Sequence, residues 1–401
     1  MPATPSGGTL LELDRQRLER AKHAYTTRHL DLSRARFLLT EREPRRGDVV
    51  LARIEEIGQH TKIEQRDGRR ASLFVGDEVV VAYGDRYAPD QFEAAIPSDL
   101  GPCELVAAGG LAARVQEAHG KMDPATSLYP LGLLADADGT AINLRDGALS
   151  VDPKTVPSDR PVTIAVVGAS MNSGKTTVAA HLVRGLWTAG LRVGAAKTTG
   201  TGAGGDVWLL GDAGAFPVYD FTSAGLPSTY RVEPAEIVRV FCELTDRLAA
   251  DGCEVVVLEI ADGLYQQETA ALLQDPAFAG RVDALIFASY DAVGADAGNG
   301  WLEKCGLPPL ALSGVLSSSP LATREAERVT GRQVWGLERL ADGEAARQMH
   351  QDLSNGRTVL GSRQADDPDS VVELQLASHV STSGAPVPAA NIGDADLNQA
   401  V

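Results

Sequence analysis

The sequence predicts an α/β protein: a mostly parallel sheet with helices on both faces, preceded by a small β-rich domain (barrel or meander) and an N-terminal helical arm. Three observations predict it. Uninterrupted apolar runs such as "VVVLEI" and "ALIFAS" alternate with amphipathic helical patterns in the second half of the chain, as suits strands covered on both faces. Short β-rich runs broken by turn pairs fill the stretch after residue 47. Near the start, Leu10, Leu13, Leu18, Ala21 and Tyr25 recur at helical spacings.

In chain order, residues 1–46 read as the arm, helical over 10–39. Its arginines, from Arg15 to Arg46, make it basic within an acidic protein; interleaved Glu12, Glu19, Glu41 and Glu43 suit a solvated face, and docking on an acidic partner is the other reading. Residues 47–155 read as the β-rich domain, with strands over 49–57, 61–65, 71–75 and 78–83 and a further strand pair joined by a turn at 136–139. Pro153, Pro157 and Pro161 mark a linker and place a domain boundary near residue 155. Strands over 163–167, 192–197, 254–260, 284–289, 310–316 and 334–337, with helices from Lys175, over Pro234–Ala250 and from Ala322, make residues 160–345 the α/β domain. No aromatic residue follows Trp335, so residues 362–401 are expected to be a disordered acidic tail.

Composition narrows the function classes. No apolar run approaches the roughly 18 residues of a membrane span, and the start lacks the layout of a secretory signal, so a cytoplasmic protein without membrane contact is expected. The 4 cysteines form no CxxC pair, which argues against a disulfide framework or zinc knuckle. A net charge of −17 disfavours nucleic acid as a partner. A homodimer is compatible with all of this.

The stretch "VVGASMNSGKTTVAAHL", residues 166–182, carries the chemistry. A strand, a glycine-containing turn, Gly174-Lys175-Thr176-Thr177 and then a helix is the context of a P-loop, where backbone N–H groups and the helix N-terminus converge on phosphate. The cradle runs through Gly168, Asn172, Ser173, Gly174, Lys175, Thr176 and Thr177, with Lys175 on the β- and γ-phosphates and the Thr176 hydroxyl on Mg²⁺. The strict spacing puts its first glycine where this chain has Ala169. Glu259 ends the run "EVVVLE", the place of a Mg²⁺-binding acid, with Asp262 close behind. In "VGAAKTTGTGAGGD", Lys197 ends the next strand, where open α/β sheets place ligands; Thr199, Thr201 and Gly202 would meet a substrate, and Asp206 is a further Mg²⁺ candidate. The polar loop "DFTSAGLPSTYRV" adds Ser228 and Arg231, the latter suited to a carboxylate.

The turn "GASMNSGKT" followed by "KTTGTG" resembles the dethiobiotin synthetase pattern, whose superfamily includes the cobyrinic acid a,c-diamide synthase group. The resemblance covers about residues 160–340, and that family also has a non-glycine where Ala169 stands. It implies nucleotide and Mg²⁺ roles for Lys175 and Thr176, a second phosphate-binding lysine at Lys197, a substrate-side hydroxyl at Thr201, the metal-side acid at Glu259, and contact with the base by "GVLSSSP" through Ser317 and Ser318. Met171 and Asn172 depart from that family's Thr-Glu or Thr-Asp, so its substrate is not implied. Ser170 stands where membrane-cycling ATPases carry an extra lysine, which disfavours their dimeric switch.

The expectation is therefore an enzyme using Mg²⁺ and ATP, or GTP, to phosphorylate a small-molecule carboxylate or carbamate, activating it for an amine or ring closure. The alternative is a nucleotide-gated binding protein whose β-rich domain and basic arm engage a nucleic acid or protein, with Phe74, Tyr83, Tyr87 and Phe92 as stacking candidates.

Overall fold

Alternation of side chains along each strand explains both layers of the fold, which the computed structural model describes over residues 8–356. In the β-rich part, five strands close a ring. Thr126–Ala135 pairs with Val49–Glu56, which pairs with Glu78–Tyr83; that strand runs parallel to Leu111–Ala118, and Cys103–Ala107 joins Leu111–Ala118 back to Thr126–Ala135. Val50, Ala52, Ile54, Val79, Val81 and Tyr83 share one core with residues from the other three strands, so they fill the ring. Their neighbours Val49, Leu51, Val80 and Ala82 face outward and are buried too.

What buries that outer face is the N-terminal segment, and the expected helical arm does not form. Only Arg15–Arg20 is α-helical, with Asp14 as its cap; Thr9–Glu12 and Phe37–Thr40 are antiparallel strands at the edge of the ten-stranded sheet. Leu13, Leu18, Leu30, Leu32, Ala35 and Leu38 pack on the barrel wall, and burying that apolar surface overrides local helical spacing. Six of the segment's ten basic side chains are also paired within the molecule. Arg17 pairs with Glu78, Lys22 with Asp77, Arg28 with Asp220, Arg34 with Asp146, Arg42 with Asp48 and Arg46 with Asp85. Of the four stacking candidates, Tyr83 and Phe92 are fully buried in the core, while Phe74 is exposed and Tyr87 lines a cavity.

The second layer is a six-stranded, all-parallel sheet in the order Val218–Asp220, Val193–Lys197, Val255–Glu259, Val162–Gly168, Ala284–Ala288, Ala311–Ser313. Its strands feed two cores: Ala165, Val167, Val256, Leu258, Leu285 and Phe287 on one face, Ile164, Val166, Val255, Val257 and Ile286 on the other. That division is why the runs read as uninterrupted hydrophobics. The helix Lys175–Thr188 covers the second face through Val178, Leu182, Val183 and Leu186. Several further helices, among them Gly205–Ala213 and Ala292–Lys304, lie in glycine- and alanine-rich stretches whose periodicity is weak. The strand expected over 334–337 is reduced to one bridge, Val334 to Leu312, before a helix at Leu337–Ala341.

The described residues belong to one compact unit. Tyr25 Oη donates to Asp220 at 2.7 Å, Arg28 meets the same carboxylate at 2.9 Å, and Glu64 accepts from Gly204 N at 2.9 Å and from Trp208 Nε1 at 2.7 Å. The expected disordered tail, 362–401, lies outside the described residues. Among the described residues no helix is long and apolar enough to cross a membrane.

Candidate functional site

Strand register assembles the charged centre. Lys197 and Glu259 are direct neighbours in register, and each shares the face of Val193 or of Val255 and Val257, which the helix Lys175–Thr188 covers. Both side chains therefore meet the start of that helix, where Thr176 Oγ1 donates to Glu259 Oε1 at 2.8 Å. The turn before the helix is tight. Gly174 sits at φ 94°, and a Cβ on Gly168 would stand 2.3 Å from Ser173 Oγ and 2.7 Å from Lys175 Cγ. Lys175 folds back so that its Nζ donates to the carbonyls of Ser170 at 2.8 Å and Asp262 at 2.6 Å.

Charges at this centre are buried and largely answered by one another. Burial lowers the Lys175 pKa, with Glu259 and Asp262 opposing. Burial also works against the Lys197 ammonium, but its ion pair with Asp206 and the charge of Glu259 outweigh that and hold its pKa above the ordinary value. For Asp206, burial is likewise outweighed by Lys197, and its pKa falls. Glu259 is raised to about 7, by burial first and then by Asp206. Burial raises Asp262 as well.

A cavity of about 600 Å³ opens over this centre. Asn172, Gly174, Lys175, Thr176, Thr177, Lys197, Thr201, Asp206, Glu259 and Asp262 line it. The opposite wall comes from the barrel part: His60 and the hairpin Arg86–Tyr87/Phe92–Ala95 with its turn, through Arg86, Tyr87 and Gln91. The hairpin tip reaches the P-loop, where Asn172 Nδ2 donates to Asp90 at 3.0 Å. A second cavity, about 500 Å³, lies beyond the loop and is lined by Ser317, Ser318, Gly336 and Glu338. Gly174, Thr177 and Val315 line both.

Other expected substrate residues turn elsewhere. The Thr199 hydroxyl donates to the Ala261 carbonyl at 3.3 Å, and Gly202 N donates to Pro227 O at 2.9 Å. Ser228 donates its hydroxyl to the Asp85 carbonyl, and Arg231 pairs with Glu93 at 2.9 Å, so both brace the hairpin from outside the cavity. Residues 227–229 pair with residues 200–202, which fixes the loop to the turn after Val193–Lys197, and Ser228 then reaches Asp85 on the barrel side. Sequence reasoning missed His60, Arg86 and Gln91. The available signal was "GDRYAPDQF", a turn-rich hairpin with an arginine among otherwise uncharged or acidic residues.

Among the described residues no group of three or more His, Cys, Asp or Glu is arranged to hold a metal ion by itself. Mg²⁺ at a phosphate site needs few protein ligands, and the donors here fit it: the Thr176 hydroxyl and Glu259, whose Oε2 is buried without a protein partner. Asp206 is engaged by Lys197.

No protein-family model matches the sequence, and no curated protein matches it. Solved structures similar to it include the signal recognition particle 54 kDa protein from Aeropyrum pernix K1, in complex with GDP, at 21% identity and a TM-score of 0.32, over 51% of this chain and 49% of that one. Another is the cell division protein FtsY from Thermotoga maritima, at 17% identity and a TM-score of 0.28, over 51% of this chain and 63% of that one. The chain thus matches less than two thirds of the length of either.

Proposed function

We propose that this chain binds a Mg²⁺-nucleoside triphosphate across the P-loop and transfers its γ-phosphoryl group to a small-molecule carboxylate or carbamate. One observation carries the reading: two clefts meet at Gly174, Thr177 and Val315, one lined by Ser317 and Ser318 and the other walled on one side by the hairpin. A nucleotide laid over the loop would put its base in the first and its γ-phosphate in the second, beside room for an acceptor. The resemblance to dethiobiotin synthetases points the same way. ATP is the preferred donor and GTP the alternative.

In this reading an acceptor oxygen attacks the γ-phosphorus, the bond to the β–γ bridging oxygen breaks, and the nucleoside diphosphate leaves. Lys175 and the helix N-terminus hold the β- and γ-phosphates, and Lys197 offsets charge shifting onto the transferring oxygens. Thr176 and Glu259 would hold Mg²⁺, with Asp206 and Asp262 as further carboxylates lining the same cavity, and the ion would neutralise phosphate charge. Thr201 faces the acceptor from the P-loop side.

A nucleotide-gated reading is favoured by one contact, Asn172 to Asp90, which would let loop occupancy move the hairpin. Calorimetry of the full chain with Mg-ATP and Mg-GTP, followed by ADP or GDP release with a pool of small carboxylates, separates the two. Transfer predicts carboxylate-dependent release; gating predicts binding with release indifferent to carboxylates. Absence of nucleotide binding would end both.

A further inference from the structure

The partly buried arginines each meet a carboxylate or, like Arg66 with Arg28 and Leu30, a backbone carbonyl. Arg28 meets Asp220 at 2.9 Å, Arg42 meets Asp48 at 3.1 Å, and Arg160 meets Asp283 at 2.7 Å. Arg86 is the exception. It is 6% exposed, yet among the described residues it forms no ion pair; Nη2 donates to Gln91 Oε1 at 2.8 Å, while Nε and Nη1 find no protein acceptor. Burial pulls its pKa down to about 10 against the opposing charge of Asp90, whose Oδ2 accepts from Asn172 while its Oδ1 is buried without a partner. Beside it, burial first and then the Arg86 charge push His60 down to about 4, so that ring is neutral and Arg86 is the cation of this wall.

An isolated buried cation costs several kcal/mol unless an anion reaches it. Arg86 lines the cavity it shares with Lys175 and Lys197, and it is absent from the second cavity, lined by Ser317 and Ser318. The phosphates have two lysines and a helix N-terminus of their own, while a guanidinium matches the planar fork of a carboxylate.

We propose that Arg86 binds a carboxylate of the acceptor substrate, so that the acceptor carries a carboxylate in addition to the oxygen that is phosphorylated. The proposal rests on the phosphoryl-transfer reading, names its substrate class and makes the hairpin the specificity wall. Gln91 holds the guanidinium in place, and the hairpin, braced by Ser228, Tyr230 and Arg231, sets its distance from the P-loop.

The test uses the full chain loaded with Mg-ADP. Thermal midpoints are read with malonate, succinate, glutarate and adipate, with butyrate as monocarboxylate control and inorganic phosphate as a separate arm. Wild type should gain stability from at least one dicarboxylate and more than from butyrate. Arg86→Met should lose that gain, bind Mg-ADP within about twofold of wild type, and melt roughly 2 °C higher without ligand, because a buried unpaired charge is gone. Arg86→Lys, which keeps charge without the fork, should fold and weaken the dicarboxylate response about tenfold. The proposal is overturned if Arg86→Met melts several degrees lower, if both variants respond to dicarboxylates like wild type, if no dicarboxylate stabilises wild type, or if only the phosphate response is lost, which would place Arg86 on the γ-phosphoryl group. Failure of Mg-ADP to bind wild type would instead overturn the phosphoryl-transfer reading itself.

Discussion

The two walls of the cavity over the P-loop handle charge in opposite ways. On the P-loop wall, each lysine already has oxygen partners within the protein: Ser170 and Asp262 carbonyls for Lys175, Asp206 for Lys197. On the hairpin wall, Arg86 has only an amide. A wall whose lysines are already answered within the protein is assembled before any ligand arrives, as suits transition-state stabilisation without reorganisation. A wall that leaves a cation unanswered is complete only when something anionic enters. On the proposed function, the difference would separate a phosphate-handling half, built on the parallel sheet, from a selecting half contributed by the barrel.

The hardest blow to this comparison should come from Lys175→Ala, which removes the ammonium nearest the phosphates. Nucleotide affinity measured by calorimetry should fall on the order of 10³-fold, with the thermal midpoint near wild type. Lys197→Met should be milder in binding and severe in chemistry: nucleotide affinity within a few-fold, turnover down on the order of 10²-fold. Pairing it with Asp206→Asn should recover stability but not turnover, because the unpaired carboxylate, not the lost catalysis, is what the second change repairs.

The seam joining the two halves gives a smaller, pH-dependent effect. His29, whose Nε2 lies 3.0 Å from Ser223 Oγ, is held down to about 4 by burial first and then by Arg28. The ring is neutral in the folded state, so its contribution is present above the ordinary histidine pKa near 6.5 and is lost as pH falls through about 4. Denaturant unfolding should show stability falling over that window, flattened in His29→Gln. Arg231→Ala should matter least, under about 1 kcal/mol, since its pair with Glu93 is half exposed. If it instead weakened acceptor binding strongly, the bracing loop would belong to the cavity wall after all.

Much of the parallel sheet was legible because each strand is buried on both faces and its helices are strongly patterned; Pro234–Ala250 has the same bounds in sequence and structure. The P-loop was legible because phosphate geometry needs a fixed order of Gly, Lys and Thr. The N-terminal segment misled for a physical reason. Leu13, Leu18 and Ala21 keep helical spacing, but their neighbours Leu30, Leu32 and Leu38 belong to the jacket of the barrel, a surface that no local window contains. Ser228 and Arg231 misled in the same way: a polar loop beside the site reads as a ligand loop until Asp85 and Glu93 arrive from residues more than a hundred positions earlier. Arg86 could be placed on a turn-rich hairpin from "GDRYAPDQF", but only the folded hairpin shows that its Nε and Nη1 have no partner.

The most direct test of phosphoryl transfer in this cavity is trapping of the activated acceptor. Full-length protein with Mg-ATP, a pool of small carboxylates and hydroxylamine should form hydroxamate in step with ADP, and Lys175→Ala should form none. ADP and free phosphate released at the same rate with no hydroxamate, in every carboxylate tried, would contradict the account.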